Sequence, residues 1–277
     1  MNNSRITFGL TAAHLLLALG AILVLFPVAW VISGGFKTQI ALLTGQLLFV
    51  PTLANFADVL FSKTSDYLIN YRNSIIVGLL STLLCLSAAT LAAWSLHRMH
   101  WPSWVRHVFL GWALVFQMIP PITLASAWYT MEREVGLDST LTGLVLAHAT
   151  LNLPMALWLM AAFVQDVPKE IEEAALIDGA STPVLLWQIV LPMVAPGLAA
   201  AGILTFVFSW NEFAVSLNLT SKATATVPVA IAKFAQEYEI QYTQMAAAAA
   251  LSILPTLVLL LIGQRYIVRG LTEGAVK

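Results

Sequence analysis

The sequence predicts an all-α membrane protein with six transmembrane helices, and three observations carry that prediction. Hydrophobic residues fill 59% of the 277 positions and charged residues only 10%, whereas soluble domains hold about a quarter charged and just under half apolar residues. Reading from one ionisable residue to the next gives six charge-free windows. Each is long enough to cross a hydrocarbon core of about 30 Å, which needs roughly 20 helical residues. The windows are continuously apolar rather than alternating, which excludes barrel strands and leaves helices as the spanning elements.

The windows run from Arg5 to Lys37, Arg72 to Arg98, Arg106 to Glu132, Asp138 to Asp166, Asp178 to Glu212 and Glu239 to Arg265, with His14 and His148 counted as neutral. The first has an apolar run longer than a secretory h-region and no defensible small-residue cleavage site, so it reads as a retained span. The second holds the single cysteine, Cys85. With no partner for a disulfide or a zinc site, it reads as a packing residue. The third is interrupted by "PP" at 120–121, with Gln117 just before it. The fourth carries Asn152 in "LNLPMALW", two residues before Pro154. The fifth exceeds 30 residues and is divided by prolines 183, 192 and 196, so only its second part needs to cross. The sixth ends in "QRYIVRG" (264–270), where basic and aromatic anchors mark a membrane edge, as they do in "HRMHWPSWVRH" (97–107).

Between the fourth and fifth spans the composition changes. "DVPKEIEEAALIDG" predicts a short exposed helix: Asp166 is placed to cap it, Pro168 fits its first turn, Glu170, Glu172 and Glu173 favour its positive end, and Gly179 stops it. Ile171, Ala174 and Ala175 share one face, and Glu170, Glu173 and Ile177 a neighbouring one. "STPVLLWQIVLP" (181–192) then resumes as a second helix, capped by Ser181 or Thr182 and broken by Pro192. Taken by itself the segment is either a solvated amphipathic loop or a surface that lets another protein approach its backbone closely.

Several function classes are excluded or weakened. A net charge of -1 without a dense basic cluster gives no footprint for nucleic acid. "GGFKT" (34–38) lacks the glycine and spacing of a phosphate loop, so the chain does not hydrolyse ATP by itself. There is no H-E-x-x-H and no G-x-S-x-G, which leaves an intramembrane enzyme without catalytic residues, and no metal ligands stand at metal spacing. An ion-coupled secondary transporter of a small polar solute stays open as the alternative, although it calls for charge at the bilayer midplane. Only Glu212 approaches that, and sixteen residues after Pro196 it falls near the far interface.

The spacing of the acidic loop is more informative than its composition. Glu173, Ala174, Ala175, Gly179, Ile189, Leu191 and Pro192 stand at every offset of the signature Glu-Ala-Ala, three residues, Gly, nine residues, Ile-x-Leu-Pro. On these residues the chain resembles the inner-membrane permeases of binding-protein-dependent ABC importers. "FSWNEF" (208–213), the tail "QRYIVRGLTEGAVK", "FVPTLANF" (49–56) and "NSIIVG" (73–78) are similar to the carbohydrate branch, the maltose-permease-like subunits, so the likeness extends from about residue 26 onward.

The resemblance implies a type I ABC importer permease fold with a cytoplasmic coupling helix. Glu173, Ala174, Ala175, Asp178 and Gly179 would form the surface docking on a cytoplasmic ATPase, and Ile189, Leu191 and Pro192 would shape the loop behind it. It implies two ATPase subunits, a second permease homologous to this one but not identical with it, and an extracytoplasmic solute-binding protein. No cofactor is expected on this chain; ATP and Mg belong to the partner ATPase. The cargo class is a sugar, oligosaccharide or polyol moved by alternating access across a bacterial or archaeal inner membrane. Both termini are expected in the cytoplasm, a placement that the lysine and arginine count, seven against six, barely favours.

The whole chain, 1–277, reads as a single transmembrane domain: 1–69 the first span and first outer loop, 70–266 a permease core with the coupling loop at 166–192, and 267–277 a cytoplasmic tail. Polar groups inside the windows are costly and therefore mark the translocation path by default: Gln117, Asn152, Asn211 and Glu212. Three of the four also have a structural reading. Gln117 satisfies a kink, Asn152 bonds to a neighbouring helix, and Glu212 reaches interfacial water. His14 and His148 read as packing or interhelical bonding residues. Trp128, Tyr129, Trp158 and Trp210 are either sugar-stacking or interfacial anchors. The outer loop at 218–244 is either a contact for the binding protein, as the resemblance implies, or a surface connector.

Overall fold

The computed structural model describes residues 3–235 and 240–273, so 236–239 of the loop at 218–244 and 274–277 of the tail lie outside the described residues. Helices α1 (Asn3–Gly35), α2 (Gln39–Leu43), α3 (Ala54–Phe61) and α4 (Tyr67–Arg98) open the chain. Next come α5 (Ser103–Gln117), α6 (Pro121–Glu134), α7 (Leu141–Asp166) and the short α8 (Lys169–Ile177). Then follow α9 (Thr182–Met193), α10 (Ala195–Asn211), α11 (Ala214–Leu219), α12 (Val227–Ala232) and α13 (Tyr242–Glu273). Among the described residues the only β pairing is an isolated antiparallel bridge between Ala235 and Ile240.

Each of the six charge-free windows carries a helix or a bent pair. Four helices, α1, α4, α7 and α13, are long and apolar enough to cross a membrane; α5 with α6 and α9 with α10 are pairs bent by 102° and 75°. Six crossings result if each pair counts as one. The first bend follows from Pro120 and Pro121, since proline disfavours helical backbone before it and supplies no amide to the preceding turn. At about 1.5 Å per residue, neither α5 nor α6, of 15 and 14 residues, reaches across alone. By contrast α7 runs unbroken through Pro154.

The chain divides into two compact units. The first comprises Met1–Tyr67 and Ile231–Leu254. Within it α1 shows apolar side chains to its surroundings over most of its length, among them Leu15 to Leu17 and Ile22 to Phe26. Lys37 follows the helix end and is buried: its ammonium donates to the Gln46 carbonyl (2.8 Å) and lies 4.6 Å from the Trp30 ring centre and 4.9 Å from that of Phe49. Cation–π contacts of this kind are worth about 2 kcal/mol when desolvated. The Asn55 amide donates to the carbonyls of Gly35 and Lys37, both at 2.8 Å. Gln39 donates to Ile240, and Tyr67 to Ala248 of α13.

The second unit comprises Leu68–Ala230 and Pro255–Lys277. Its centre is α7, the most enclosed of the four long helices, packed against α5 and α10. The core is alanine-rich: Ala89 and Ala93 of α4, Ala149, Ala156 and Ala161 of α7, and Ala201 of α10, with Cys85 among them. Apolar burial gives little net drive inside lipid, so small residues that let backbones approach and gain dispersion contacts hold such helices together. The same need places Gly78 against Phe206, Gly197 against Phe163, and Gly263 against Ile203.

Candidate functional site

Helix α8 lies in the second unit and is closed at its far end by a specific hydrogen-bond pattern. The Gly179 amide donates to the Leu176 carbonyl (3.1 Å) and the Ala180 amide to that of Ala175 (2.9 Å), with Gly179 at φ +85°. This is the Schellman closure, in which glycine takes the left-handed backbone that other residues resist. The near end differs from the sequence expectation. Asp166 is the last residue of α7, Pro168 occupies the cap position, and no side chain caps the helix there.

What holds α8 in place is Glu172, which is 5% exposed although its neighbour Glu173 is exposed. Its Oε1 accepts from the Arg98 Nε at 2.6 Å and its Oε2 from the Trp94 indole at 3.1 Å. The Arg98 Nη2 also donates to the carbonyls of Val164 (2.9 Å) and Val167 (2.7 Å), at and just past the end of α7. A cation at a helix C-terminus is favourable because the last carbonyls there lack partners within the helix. One guanidinium therefore joins the ends of α4 and α7 to α8.

The bundle-facing line of α8 is consequently Glu172 and Ala175, three residues apart on one face. Ala175 packs against the core and is half-buried. Glu173, Ala174, Asp178 and Gly179 are exposed, as are Leu176 and Ile177, the latter by 86%. Of the five residues expected on a docking surface, four share the open side and Ala175 turns inward. The expected face of Ile171, Ala174 and Ala175 is thus corrected, because Glu172 and its two partners set the rotation of the helix.

Beyond Gly179 the chain enters α9 at Ser181, whose side chain makes no capping bond. Residues Leu185–Val190 form a π-helical stretch, with the Leu191 amide donating five residues back to Leu186. Pro192 follows, and its ring would clash with the carbonyl four residues earlier in a tight α-helix. The widened turn accommodates it. The break expected at Pro192 comes instead at Val194, between α9 and α10. Ile189 packs on the core, Leu191 is half-buried, and Pro192 is exposed.

The polar residues of the spans are distributed in two ways. Asn152 and Glu212 meet at His148, which is fully enclosed. The His148 ring bonds Ser209 of α10 through Nδ1 (2.7 Å) and Ser216 of α11 through Nε2 (3.0 Å), with the Glu212 Oε2 at 3.5 Å. Ser209 in turn reaches Ser81 of α4 at 3.1 Å. Asn152 donates to the His148 carbonyl of its own helix (2.8 Å), not to a neighbouring helix. Glu212, expected to reach interfacial water, turns inward and accepts the amides of Val215 and Ser216 at 2.7 and 2.8 Å, closing the start of α11. Gln117 lies exposed at the α5 bend, and Asn211 is exposed and donates to Val207. Trp210 is buried and stacks on Phe206 with Tyr71 at its edge, which is neither an interfacial anchor nor an open stacking platform.

Sequence reasoning missed Trp94, Arg98 and Glu172 as a group. A partial signal existed: Glu172 stands three residues before Ala175, and Arg98 ends an apolar window. Their pairing spans 74 positions, which no local pattern reveals.

Residues 85–273 match the model of the family described as binding-protein-dependent transport system inner membrane component. The chain is 37% identical to the trehalose transport system permease protein SugB of Mycobacterium tuberculosis (strain CDC 1551 / Oshkosh), over 91% of this chain and 92% of that protein. It is 35% identical to the trehalose/maltose transport system permease protein MalG of Thermococcus litoralis, over 95% and 97%. Against the sulfoquinovosyl glycerol transport system permease protein SmoH of Agrobacterium fabrum the identity is 33%, over 96% and 92%. A chain of a bacterial ABC transporter involved in the import of the acidic polysaccharide alginate superposes with a TM-score of 0.76 at 21% identity, covering 96% of this chain and 98% of that one.

Proposed function

The chain belongs to the family of binding-protein-dependent transport system inner membrane components, and on that premise we propose that it is the permease subunit of an ATP-driven importer of a sugar, oligosaccharide or polyol. Its fold is that of the type I ABC importer permeases. The cargo class rests on the relatives, whose names specify trehalose, maltose and a sulfoquinovosyl glycerol. An extracytoplasmic binding protein delivers the cargo, a second permease completes the pathway, and two cytoplasmic ATPase subunits supply the energy. Both termini and α8 lie in the cytoplasm of a bacterial or archaeal cell, with the bundle in its inner membrane. ATP and Mg bind to the ATPase pair and not to this chain.

The observation that carries the reading is the construction of α8. A nine-residue helix, anchored on one side by Glu172 and closed by Gly179, presents Glu173, Ala174, Asp178 and Gly179 on its open side. A small, rigid, partly acidic surface suits docking into a cleft of a separate subunit, and a helix fixed to its bundle passes that subunit's movement on as rigid-body rotation. Closure of the ATPase pair draws the two permeases' helices together and opens the pathway outward, and its opening reverses this. Ile189, Leu191 and Pro192 shape the return segment, and Asn152 and Glu212 brace the bundle around His148. Gln117 and Asn211, exposed on this chain, are the better candidates for facing the pathway or the second permease.

The test is reconstitution of this chain with the second permease, the ATPase pair and the binding protein. Glu173→Arg is expected to release the ATPase from the purified complex and to abolish uptake of labelled trehalose or maltose. Retention of the ATPase by that variant would overturn the docking role of α8. Uptake by the permeases without any ATPase, driven by an ion gradient, would favour the ion-coupled alternative.

A further inference from the structure

Helix α8 is joined to α7 by two residues, Val167 and Pro168, in extended backbone. Such a link by itself is a swivel: force applied to α8 would turn it about the link before moving the bundle. The return side is also compliant, since it runs through the π-helical stretch of α9 and the 75° bend before α10. Rigidity must therefore come from side chains. Both carboxylate oxygens of Glu172 are held by α4, from Trp94 and Arg98 one helical turn apart, and Arg98 simultaneously holds the Val164 and Val167 carbonyls. The Trp94 and Glu172 residues are 8% and 5% exposed, so water competes little for these bonds, and charge-assisted bonds in such surroundings are the strong ones.

We propose that Trp94, Arg98 and Glu172 form a locked joint that makes α8 move as one body with the adjoining ends of α4 and α7, so that displacement of α8 is delivered to those two helices and not lost in rotation about Val167–Pro168. The three are positioning residues. They stand on the side of α8 opposite its exposed face and take no part in docking. This inference rests on the coupling role proposed for α8.

The experiment uses the full complex, with Cys85→Ala in this chain and spin labels on Met99→Cys and Leu176→Cys, both positions being exposed. Label-to-label distances are measured without nucleotide and with ADP and vanadate trapped at the ATPase after hydrolysis. The otherwise native joint is expected to give one narrow distance, unchanged between the two states. Arg98→Gln is expected to keep the ATPase bound and to broaden the distribution about twofold, with Arg98→Lys, which keeps the charge but not the fork of donors, giving an intermediate width. A distribution as narrow in Arg98→Gln as in the parent overturns the joint, and so does a parent distance that shifts by several Å, more than about 3 Å, on trapping. If Arg98→Gln fails to assemble, Trp94→Phe removes a single donor while keeping an aromatic ring: intermediate broadening supports the joint and an unchanged width overturns it. Failure of the underlying reading shows elsewhere, as an ATPase that stays bound to Glu173→Arg whatever the distances do.

Discussion

Glu172 and Glu173 are adjacent and chemically identical, yet one is enclosed between two α4 side chains and the other faces solvent. Their substitutions should differ accordingly. Glu172→Ala leaves the Arg98 charge buried without its carboxylate, a change that costs about 3–5 kcal/mol. Glu173→Ala on the open face stays within about 0.5 kcal/mol. Thermal unfolding of the detergent-solubilised chain, followed by size-exclusion chromatography, checks both. Gly179 poses a second contrast: its backbone is left-handed, and a Cβ placed there would meet nothing within 4 Å. Gly179→Ala strains the turn by about 1 kcal/mol but projects little, so the ATPase should stay bound. Gly179→Asn tolerates the backbone better and fills the open space, so the ATPase should dissociate more readily. ATPase retention on immobilised complex decides; the reverse order would assign Gly179 to backbone geometry alone. At this scale the sequence disclosed Gly179 and the open acidic face. The buried role of Glu172 was hidden, because residue type does not distinguish it from Glu173.

Each apolar window between charges located a helix or a bent pair long and apolar enough to cross, because lipid excludes charge over a fixed thickness and continuous apolar runs have few other uses. What they did not disclose was how the interrupted windows bend. The prolines at 120 and 121 announced a break, but its 102° depends on what α6 packs against, and α6 meets α11. Helix ends were legible where one residue's backbone decides, as at Gly179. They were misread where a side chain had alternatives: Asp166 stayed in α7, and Glu212 caps α11 instead of meeting water. Packing between elements yields its own prediction. Gly197 of α10 rests on the Phe163 ring of α7, whereas Gly111 of α5 has nothing within 4 Å of a built Cβ. Gly197→Leu should lower stability by about 1–3 kcal/mol through overpacking. Gly111→Ala should be neutral or raise it by up to about 1 kcal/mol through helix propensity. The same thermal assay on the two variants, with a Phe163→Ala partner to relieve Gly197→Leu, measures the contact.

At the scale of the whole molecule the membrane sidedness of α8 is the decisive expectation, since lysines and arginines are nearly balanced across the spans. With Cys85 replaced, Ile177→Cys should react with a membrane-impermeant thiol reagent only in inside-out vesicles, and Leu48→Cys, 94% exposed in the first loop, only in right-side-out ones. Labelling of both from the same face would contradict the topology. Long-range pairings such as Gln39 with Ile240 leave no periodic trace in the sequence, which is why the composition of the two units was not readable from it. The i→i+5 bonding of Leu185–Val190 bears on everything that follows it in the chain. A π turn absorbs a surplus residue locally, so the helix beyond it keeps the angular phase it would have without that residue. Deleting one residue from 185–188 would relax the backbone to an ordinary spiral with α10 still in phase, while shortening the interval between Gly179 and Ile189 from nine residues to eight and so moving Ile189, Leu191 and Pro192 out of the signature spacing.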